Sequence, residues 1–144
     1  MITLRVFGTP APQGSKRHIG GGRMIESSKK VTPWRDAIVA QAEFDGVAGA
    51  ALDGPLELTV TFYLYRPKSH RGAHGLYSNA PMFPTGFPDL DKLARSTCDA
   101  LTQAQVVVDD ARFVRLFAQK VYADERATGA LILVKNIINT EEMQ

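Results

Sequence analysis

The sequence has little cysteine, no long apolar run and no strong excess of charge of either sign. Because Cys98 is its one cysteine, the chain cannot form an internal disulfide, and a single cysteine cannot form a zinc site by itself. No apolar run approaches the roughly 18–20 residues that span a bilayer, and the N-terminal residues lack the features of a signal peptide. A chain of 144 residues with 44% hydrophobic residues fits one domain with a single core. We therefore expect a soluble, cytoplasmic protein with no membrane partner.

The net charge of +2 conceals an alternation along the chain. Residues 1–35 carry a net charge of +6 and residues 66–86 carry +3, whereas residues 36–65 carry −5 and residues 87–110 carry −3. An evenly solvated surface would mix its charges instead. The two basic segments are therefore candidates for contact with an acidic partner such as nucleic acid.

Periodicity predicts a single α+β domain over residues 1–144, with a small mixed β-sheet, two main helices and the order β-α-β-α-β-β. Helical spacing follows Pro33 and, more strongly, Pro88, after which the helix is expected to begin near Lys92. Trp34 and Cys98 lie on these apolar stripes and are predicted to be buried. Alternating or β-branched runs predict strand structure at residues 2–7, 56–64, 106–108, 113–122 and 130–135.

Three segments lack such a period. Residues 13–30 are basic and rich in glycine, which predicts a flexible segment. Residues 66–88 form a long connection of the kind that is usually functional or disordered. Residues 139–144 are expected to form a frayed tail.

Carboxylates are concentrated around the second helix. Asp89 and Asp91 precede it, and Asp109 and Asp110 follow it. One aspartate is enough to cap a helix, and two that are spaced i, i+2 in an extended segment point to one face. If the chain returns after the helix, a third carboxylate joins them, and hard oxygen ligands of this kind suit Mg²⁺ or Mn²⁺ rather than Zn²⁺. On this pattern alone, a metal site and simple capping with turns are equally good interpretations.

A specific family resemblance lies in residues 88–112. The aspartates at 89 and 91, the Asp99-Ala100-Leu101 segment and the closing Asp109-Asp110 pair resemble, in order and spacing, the signature of RusA-type Holliday-junction resolvases of phages and prophages. A looser likeness extends over the rest of the chain. The resemblance implies a RusA-like domain and a Mg²⁺-dependent endodeoxyribonuclease, with Mn²⁺ as a possible substitute. It also implies a homodimer that resolves four-way DNA junctions by paired symmetric cuts in the cytoplasm of a bacterial host.

The resemblance also implies roles for individual residues. Asp89, Asp91 and Asp110 would be the catalytic metal ligands, whereas Asp109 is a weaker candidate and Asp99 would serve the helix. The chain departs from the family at Lys92, where the family has asparagine, and at Arg95, where it has lysine. Arginine stays protonated, so Arg95 is expected to stabilise charge at the catalytic site rather than to transfer a proton.

Ten basic residues are candidate DNA contacts, although a solvated surface is the usual place for lysine and arginine. Tyr77 or Phe83 in the 66–88 loop could stack on a base there. The candidates are Lys16, Arg17, Arg23, Lys29, Lys30, Arg66, Lys68, Arg71, Lys92 and Lys120.

Three other functions stay open at this point. A catalytically weak or inactive protein that binds junctions or other structured DNA would keep its binding in EDTA and would not nick. A metal-dependent nuclease of flaps or single strands would prefer those substrates. A Ca²⁺-binding domain ranks last, because the sequence contains no EF-hand loop.

Overall fold

The computed structural model describes residues 1–14, 16–18, 24–26 and 29–137. In these ranges no helix is both long and apolar enough to cross a membrane. Short 3₁₀ turns occur at Lys68–His70 and Asp110–Arg112. The strands and helices are β1 (Ile2–Phe7), β2 (Lys16–His18), β3 (Met24–Glu26), α1 (Val31–Phe44), β4 (Leu56–Leu64), β5 (Arg71–Gly72), β6 (Gly75–Leu76), α2 (Leu90–Gln103), β7 (Phe113–Tyr122) and β8 (Gly129–Asn136).

Four strands form the main sheet in the order β1-β8-β4-β7. β8 pairs antiparallel with both β1 and β4, whereas β4 and β7 are parallel. Two parallel neighbours need a crossover connection, and α2 lies in it. The chain therefore leaves the carboxyl end of β4, passes through α2 and returns to the amino end of β7. The predicted α+β fold with a mixed sheet and two helices is confirmed.

One face of this sheet is buried. Leu56, Leu58, Val60 and Phe62 alternate along β4 and are at most 1% exposed, which is the pattern of a strand with one face in the core. The helices cover that face, and the predicted burial of Trp34 is confirmed, since its side chain is 1% exposed. Burial of each large side chain contributes about 1.5–3 kcal/mol to folding.

One predicted helix start and one predicted strand are wrong. The strong helix begins at Leu90 rather than near Lys92. Asp91 is therefore helical, and the extended backbone at both residues that would point Asp89 and Asp91 to one face is not present. Residues 106–108 do not form a strand, because Val107 makes only an isolated bridge to Leu52. The backbone of this segment is used in the turn that ends α2, where the Val106 N–H donates to the Leu101 carbonyl over 3.0 Å.

The two basic connections contain more structure than the sequence indicates. Strands β2 and β3 pair antiparallel within the segment that was predicted to be flexible. Strands β5 and β6 pair within the 66–88 loop, where Tyr77 donates its N–H to the His70 carbonyl. Elements of two or three residues are too short to leave a period in the sequence. The predicted tail at 139–144 lies outside the described residues.

Candidate active site and DNA-binding surface

Asp89 lies at the amino end of α2 with an extended backbone (φ −69°, ψ 135°). Its carbonyl accepts the Leu93 N–H over 3.0 Å, but its side chain makes no capping hydrogen bond. The carboxylate is 58% exposed, and its ionic neighbour is Lys92, with Nζ 3.8 Å from Oδ2. The capping interpretation of Asp89 is therefore wrong, and its oxygens are open to another ligand.

Asp91 stands in the first turn of α2 and is exposed. Residues four apart lie above one another on a helix, so Asp91, Arg95 and Asp99 share one face of α2. Arg95 is exposed, and it makes no hydrogen bond or ion pair with another described side chain. This face therefore carries a cation between two carboxylates, and Asp89 lies at the amino end of the same helix.

The pair Asp109–Asp110 begins the turn that leads into β7. Asp109 Oδ1 accepts the Ala111 N–H over 3.3 Å, so the turn interpretation is confirmed for Asp109. This N–H, with a further hydrogen bond to Asp110, holds the pKa of Asp109 below its usual value. An ion pair holds the turn against the loop before β4, because Arg112 Nε lies 2.6 Å from Asp53 Oδ1. This ion pair was not predictable from the sequence, because its partners are 59 residues apart.

Asp110 carries negative charge that the described residues do not neutralise. Its hydrogen bond with Asp109, partial burial, and the charges of Asp109 and Asp99 raise the pKa of Asp110 above its usual value. Cys98 lies nearby, since burial, followed by the charges of Asp110 and Asp99, raises the pKa of its thiol to about 12. The thiol is thus protonated at neutral pH and is a poor metal ligand or nucleophile. Asp99 is a neighbour of Asp110 as well as a helix residue.

Asp110 lies near the carboxyl-terminal half of α2, whereas Asp89 and Asp91 lie at its amino end. Asp99 follows Asp89 by ten residues, which is about 15 Å of helix. Strand β7 separates the same two places. Asp110 comes just before Phe113, the first residue of β7. The turn before Asp89 instead contacts Lys120, which is about 23 Å further along the strand. Among the described residues, no group of three or more His, Cys, Asp and Glu side chains is close enough to hold a metal ion. The expected return of Asp110 to Asp89 and Asp91 does not occur within the chain that the structure describes.

The donor atoms nevertheless fit Mg²⁺ in type. All are carboxylate oxygens, and Mg²⁺ is bound through one or two carboxylates while it keeps waters and takes phosphate oxygens. Asp89 and Asp91 offer two such carboxylates at one helix end. The like-charge environment that raises the pKa of Asp110 is also one that a cation would relieve.

Lys120 supports the turn before Asp89. It lies on β7 opposite Phe62 of β4. Its ammonium donates to the Gly86 carbonyl over 2.6 Å and to the Pro88 carbonyl over 2.8 Å. Two of its three N–H donors are therefore used inside the protein. Lys120, a predicted DNA contact, connects β7 to the turn before the amino end of α2.

For the Mg²⁺-dependent DNA cleavage that the family resemblance implies, we expect Lys120→Met to raise the Mg²⁺ concentration for half-maximal cleavage about ten-fold, because the turn that positions Asp89 loses two charge-assisted hydrogen bonds. Nicking is measured across a Mg²⁺ titration, and junction affinity is measured in EDTA. Gln119→Met is the matched control, since Gln119 is its neighbour on β7 and points to the opposite face of the sheet. Weaker junction binding in EDTA with an unchanged Mg²⁺ requirement would instead assign Lys120 to phosphate.

Arg66 is held inside the protein rather than presented to solvent. Its side chain is 6% exposed, and its Nε and Nη2 donate to the two Asp124 oxygens over 2.6 and 3.2 Å. Nη1 donates to the Pro81 carbonyl over 2.7 Å, and the guanidinium stacks on the Tyr122 ring at 4.0 Å. The guanidinium offered above as a phosphate contact therefore ties the 66–88 loop to the turn after β7.

We expect Asp124→Asn to lower Tm by about 5 °C at pH 7, because Arg66 keeps its burial but loses its ionic partner. Asp124 has a positive φ of 49°, a backbone conformation that asparagine adopts readily. The hydrogen bond from Arg66 lowers the pKa of Asp124, so its contribution is present above the unfolded pKa of about 3.9 and is lost as the pH falls below it. Thermal melts at pH 7 and pH 3 with Glu125→Gln as control check this, and an equal deficit at both pH values would contradict it.

The other candidate DNA contacts differ in their surroundings. Lys29, Lys30 and Lys68 are exposed, and Lys92 is partly exposed beside Asp89. Arg71 is exposed and its Nη2 lies 3.1 Å from Asp124 Oδ1. The remaining candidates are in the segment before α1: Lys16 and Arg17 belong to β2, and Arg23 lies outside the described residues.

Comparison with known proteins adds one finding. No curated protein matches the chain. The family described as "Endodeoxyribonuclease RusA" matches residues 8–134, which include both helices, β4, β7, β8 up to Val134 and all the candidate aspartates, whereas β1 precedes the matched region. The matched region thus contains Asp89 and Asp91 at the start of α2 and the Asp109–Asp110 turn before β7. The chain belongs to the RusA endodeoxyribonuclease family.

Proposed function

We propose that this protein is a Mg²⁺-dependent endodeoxyribonuclease that resolves four-way DNA junctions by paired, symmetric phosphodiester hydrolysis, with Mn²⁺ as a possible substitute. The observation that carries the proposal is the uncapped, exposed carboxylate of Asp89 beside Asp91 at the start of α2. A helix start needs one acidic side chain at most, and the Asp89 side chain makes no capping hydrogen bond; its ionic contact among the described residues is with Lys92, at 3.8 Å. Family membership supplies the reaction class.

The roles follow from the chemistry of each side chain. Asp89, Asp91 and Asp110 supply carboxylate oxygens as metal ligands. A Mg²⁺ ion held by these residues would supply an activated water and stabilise negative charge on the reacting phosphate. Arg95, one turn after Asp91, supplies a guanidinium that stabilises the anionic transition state. Lys92 holds phosphate or offsets the charge of Asp89.

A homodimer accounts for the position of Asp110. Within one chain the described residues hold no cluster that joins Asp110 to Asp89 and Asp91, whereas a two-fold partner would bring its own Asp110 to the Asp89–Asp91 pair. Two such sites would result from one symmetric interface, and a four-way junction presents two symmetry-related strands to them. The dimer is therefore proposed both to complete each site and to pair the two cuts.

The exposed cations extend this site into a surface for DNA. Lys29, Lys30, Lys68 and Arg71 are exposed, and a phosphodiester backbone is held by such groups with a strong dependence on salt. Lys16, Arg17 and Arg23 belong to the same proposal. A nuclease of this class would act in the cytoplasm of a bacterial host, encoded by a phage or prophage.

The test compares a synthetic four-way junction, a flap, a single strand and a duplex, each in Mg²⁺, in Mn²⁺ and in EDTA. Paired symmetric nicks in the junction, absent in EDTA, support the proposal. Preferred cleavage of flaps or single strands would identify a different nuclease of the same family. Tight junction binding with no nicking in either metal would identify a binding protein.

A further inference from the structure

A cavity of about 400 Å³ opens beside the turn that precedes Asp89. Its walls are largely rings: Tyr65 and Tyr122 at the ends of β4 and β7, Pro10 and Pro12 after β1, and Phe87 and Pro88 on the turn itself. Lys30 is the cation of the lining, which contains no carboxylate among the described residues. Apolar walls with one cation suit a flat, uncharged ring that is attached to an anion.

The turn presents Phe87 to solvent from a backbone that is held on both sides of it. Phe87 is 79% exposed and Tyr65, in the same lining, is 64% exposed. The residues on either side of Phe87 are held by the two hydrogen bonds from Lys120 to the Gly86 and Pro88 carbonyls. Two exposed aromatic rings in one concave patch, one of them on a braced turn, are typical of a binding surface rather than of scattered surface residues.

We propose that this cavity receives an unstacked nucleobase next to the phosphate that is cleaved, an inference that rests on the proposed nuclease function. Every base has a flat face that stacks on aromatic rings irrespective of sequence. Pro88 is joined to Asp89, with Cα atoms 3.8 Å apart in any trans linkage, so a nucleotide in the cavity sits beside the metal-binding pair. Lys30 would hold a neighbouring phosphate.

This site differs from the two rings that the sequence suggested. The Tyr77 ring covers Gly72 in the β5–β6 hairpin, where a Cβ on the glycine would come within 2.7 Å of it. Phe83 is exposed but does not line the cavity. A base at a branch point is less firmly stacked than one inside a duplex, so extruding it costs less free energy. The cavity therefore provides a physical reason for a preference for junctions over duplexes.

The experiment places 2-aminopurine, whose fluorescence rises when it unstacks, at each position around the branch point of a synthetic junction. Binding is measured in EDTA, so that no strand is cut. We expect the wild-type protein to raise the fluorescence at a position next to the cleavage site in the junction but not in a duplex. Phe87→Ala should remove most of that rise and weaken junction binding about ten-fold. Phe44→Ala is the matched control, since Phe44 is 88% exposed at the end of α1 and should change neither.

Three outcomes overturn the inference, and a fourth overturns the nuclease function on which it rests. Saturating binding with no fluorescence rise at any position, or equal effects of Phe87→Ala and Phe44→Ala, shows that the cavity takes no base. A change of oligomeric mass on Phe87→Ala, seen by sedimentation, shows that the cavity is covered by a second copy of the chain. A fluorescence rise that depends on Phe87, in a protein that does not nick DNA in Mg²⁺ or Mn²⁺, overturns the nuclease and leaves the cavity as a base-binding site.

Discussion

Replacement of Asp91 by asparagine is expected to lower the rate of junction nicking at least roughly a thousand-fold, while junction affinity in EDTA changes by less than about two-fold. The amide keeps the size of the side chain in the first turn of α2 but removes the anionic oxygen that a hard cation requires. DNA binding survives because Asp91 is an acid, and its loss removes no attraction for phosphate. Single-turnover nicking and an affinity titration measure the two quantities.

Asp36→Asn is the matched control for this variant. Asp36 is also an exposed aspartate near the start of a helix, here α1, so the same chemical change tests a general effect of charge. We expect its nicking rate to equal that of the wild type. Nicking by Asp91→Asn within ten-fold of the wild type would remove Asp91 from the metal site.

Asp110→Asn is expected to abolish nicking and, in the absence of metal, to raise Tm by about 1–3 °C. The stability gain follows from the raised pKa of Asp110, which has its main cause in the shared hydrogen bond with Asp109. An acid whose pKa is raised on folding destabilises the folded state at pH values above that pKa and contributes nothing below its unfolded pKa of about 3.9. The difference in Tm between variant and wild type should therefore grow from pH 4 to pH 7. A lower Tm for the variant at pH 7 would contradict this account.

The same two variants test whether a partner completes the site. In a mixed dimer of Asp91→Asn and Asp110→Asn subunits, a site shared between subunits leaves one pair of intact residues together and restores single nicks. A site within one subunit leaves both copies defective, and the mixture stays inactive. Nicking of a labelled junction after co-refolding decides between the two, and each variant refolded alone is the control.

The start of the candidate site was predictable from the sequence because its determinants are local. Asp89 and Asp91 are two residues apart, and the apolar stripe from Leu90 to Leu101 fixes the helix that follows them. The position of Asp110 was not, because it depends on where the chain goes after fourteen helical residues. A helix of that length carries the chain about 21 Å, and the return is made by β7, which begins only after Asp110.

The use of each basic side chain was harder still to predict. The sequence around a lysine on an edge strand, or an arginine at the start of a loop, looks the same whether the side chain contacts DNA or stabilises a turn. Lys120 meets Gly86 and Pro88 across more than thirty residues of chain, and Arg66 meets Asp124 across fifty-eight. Only the parallel pairing of β4 and β7, which aligns their carboxyl ends, brings these partners together.

These two cations change the entropy of the 66–88 segment. A loop tied only at its ends samples the conformations of one long ring, whereas contacts of Arg66 with Pro81 and of Lys120 with Gly86 and Pro88 divide it into shorter rings. Most of the conformational entropy of the loop is then lost during folding rather than on ligand binding. A partner that docks on Phe87 meets a loop whose backbone is already held on both sides of that residue, so its affinity loses less to the ordering of the loop.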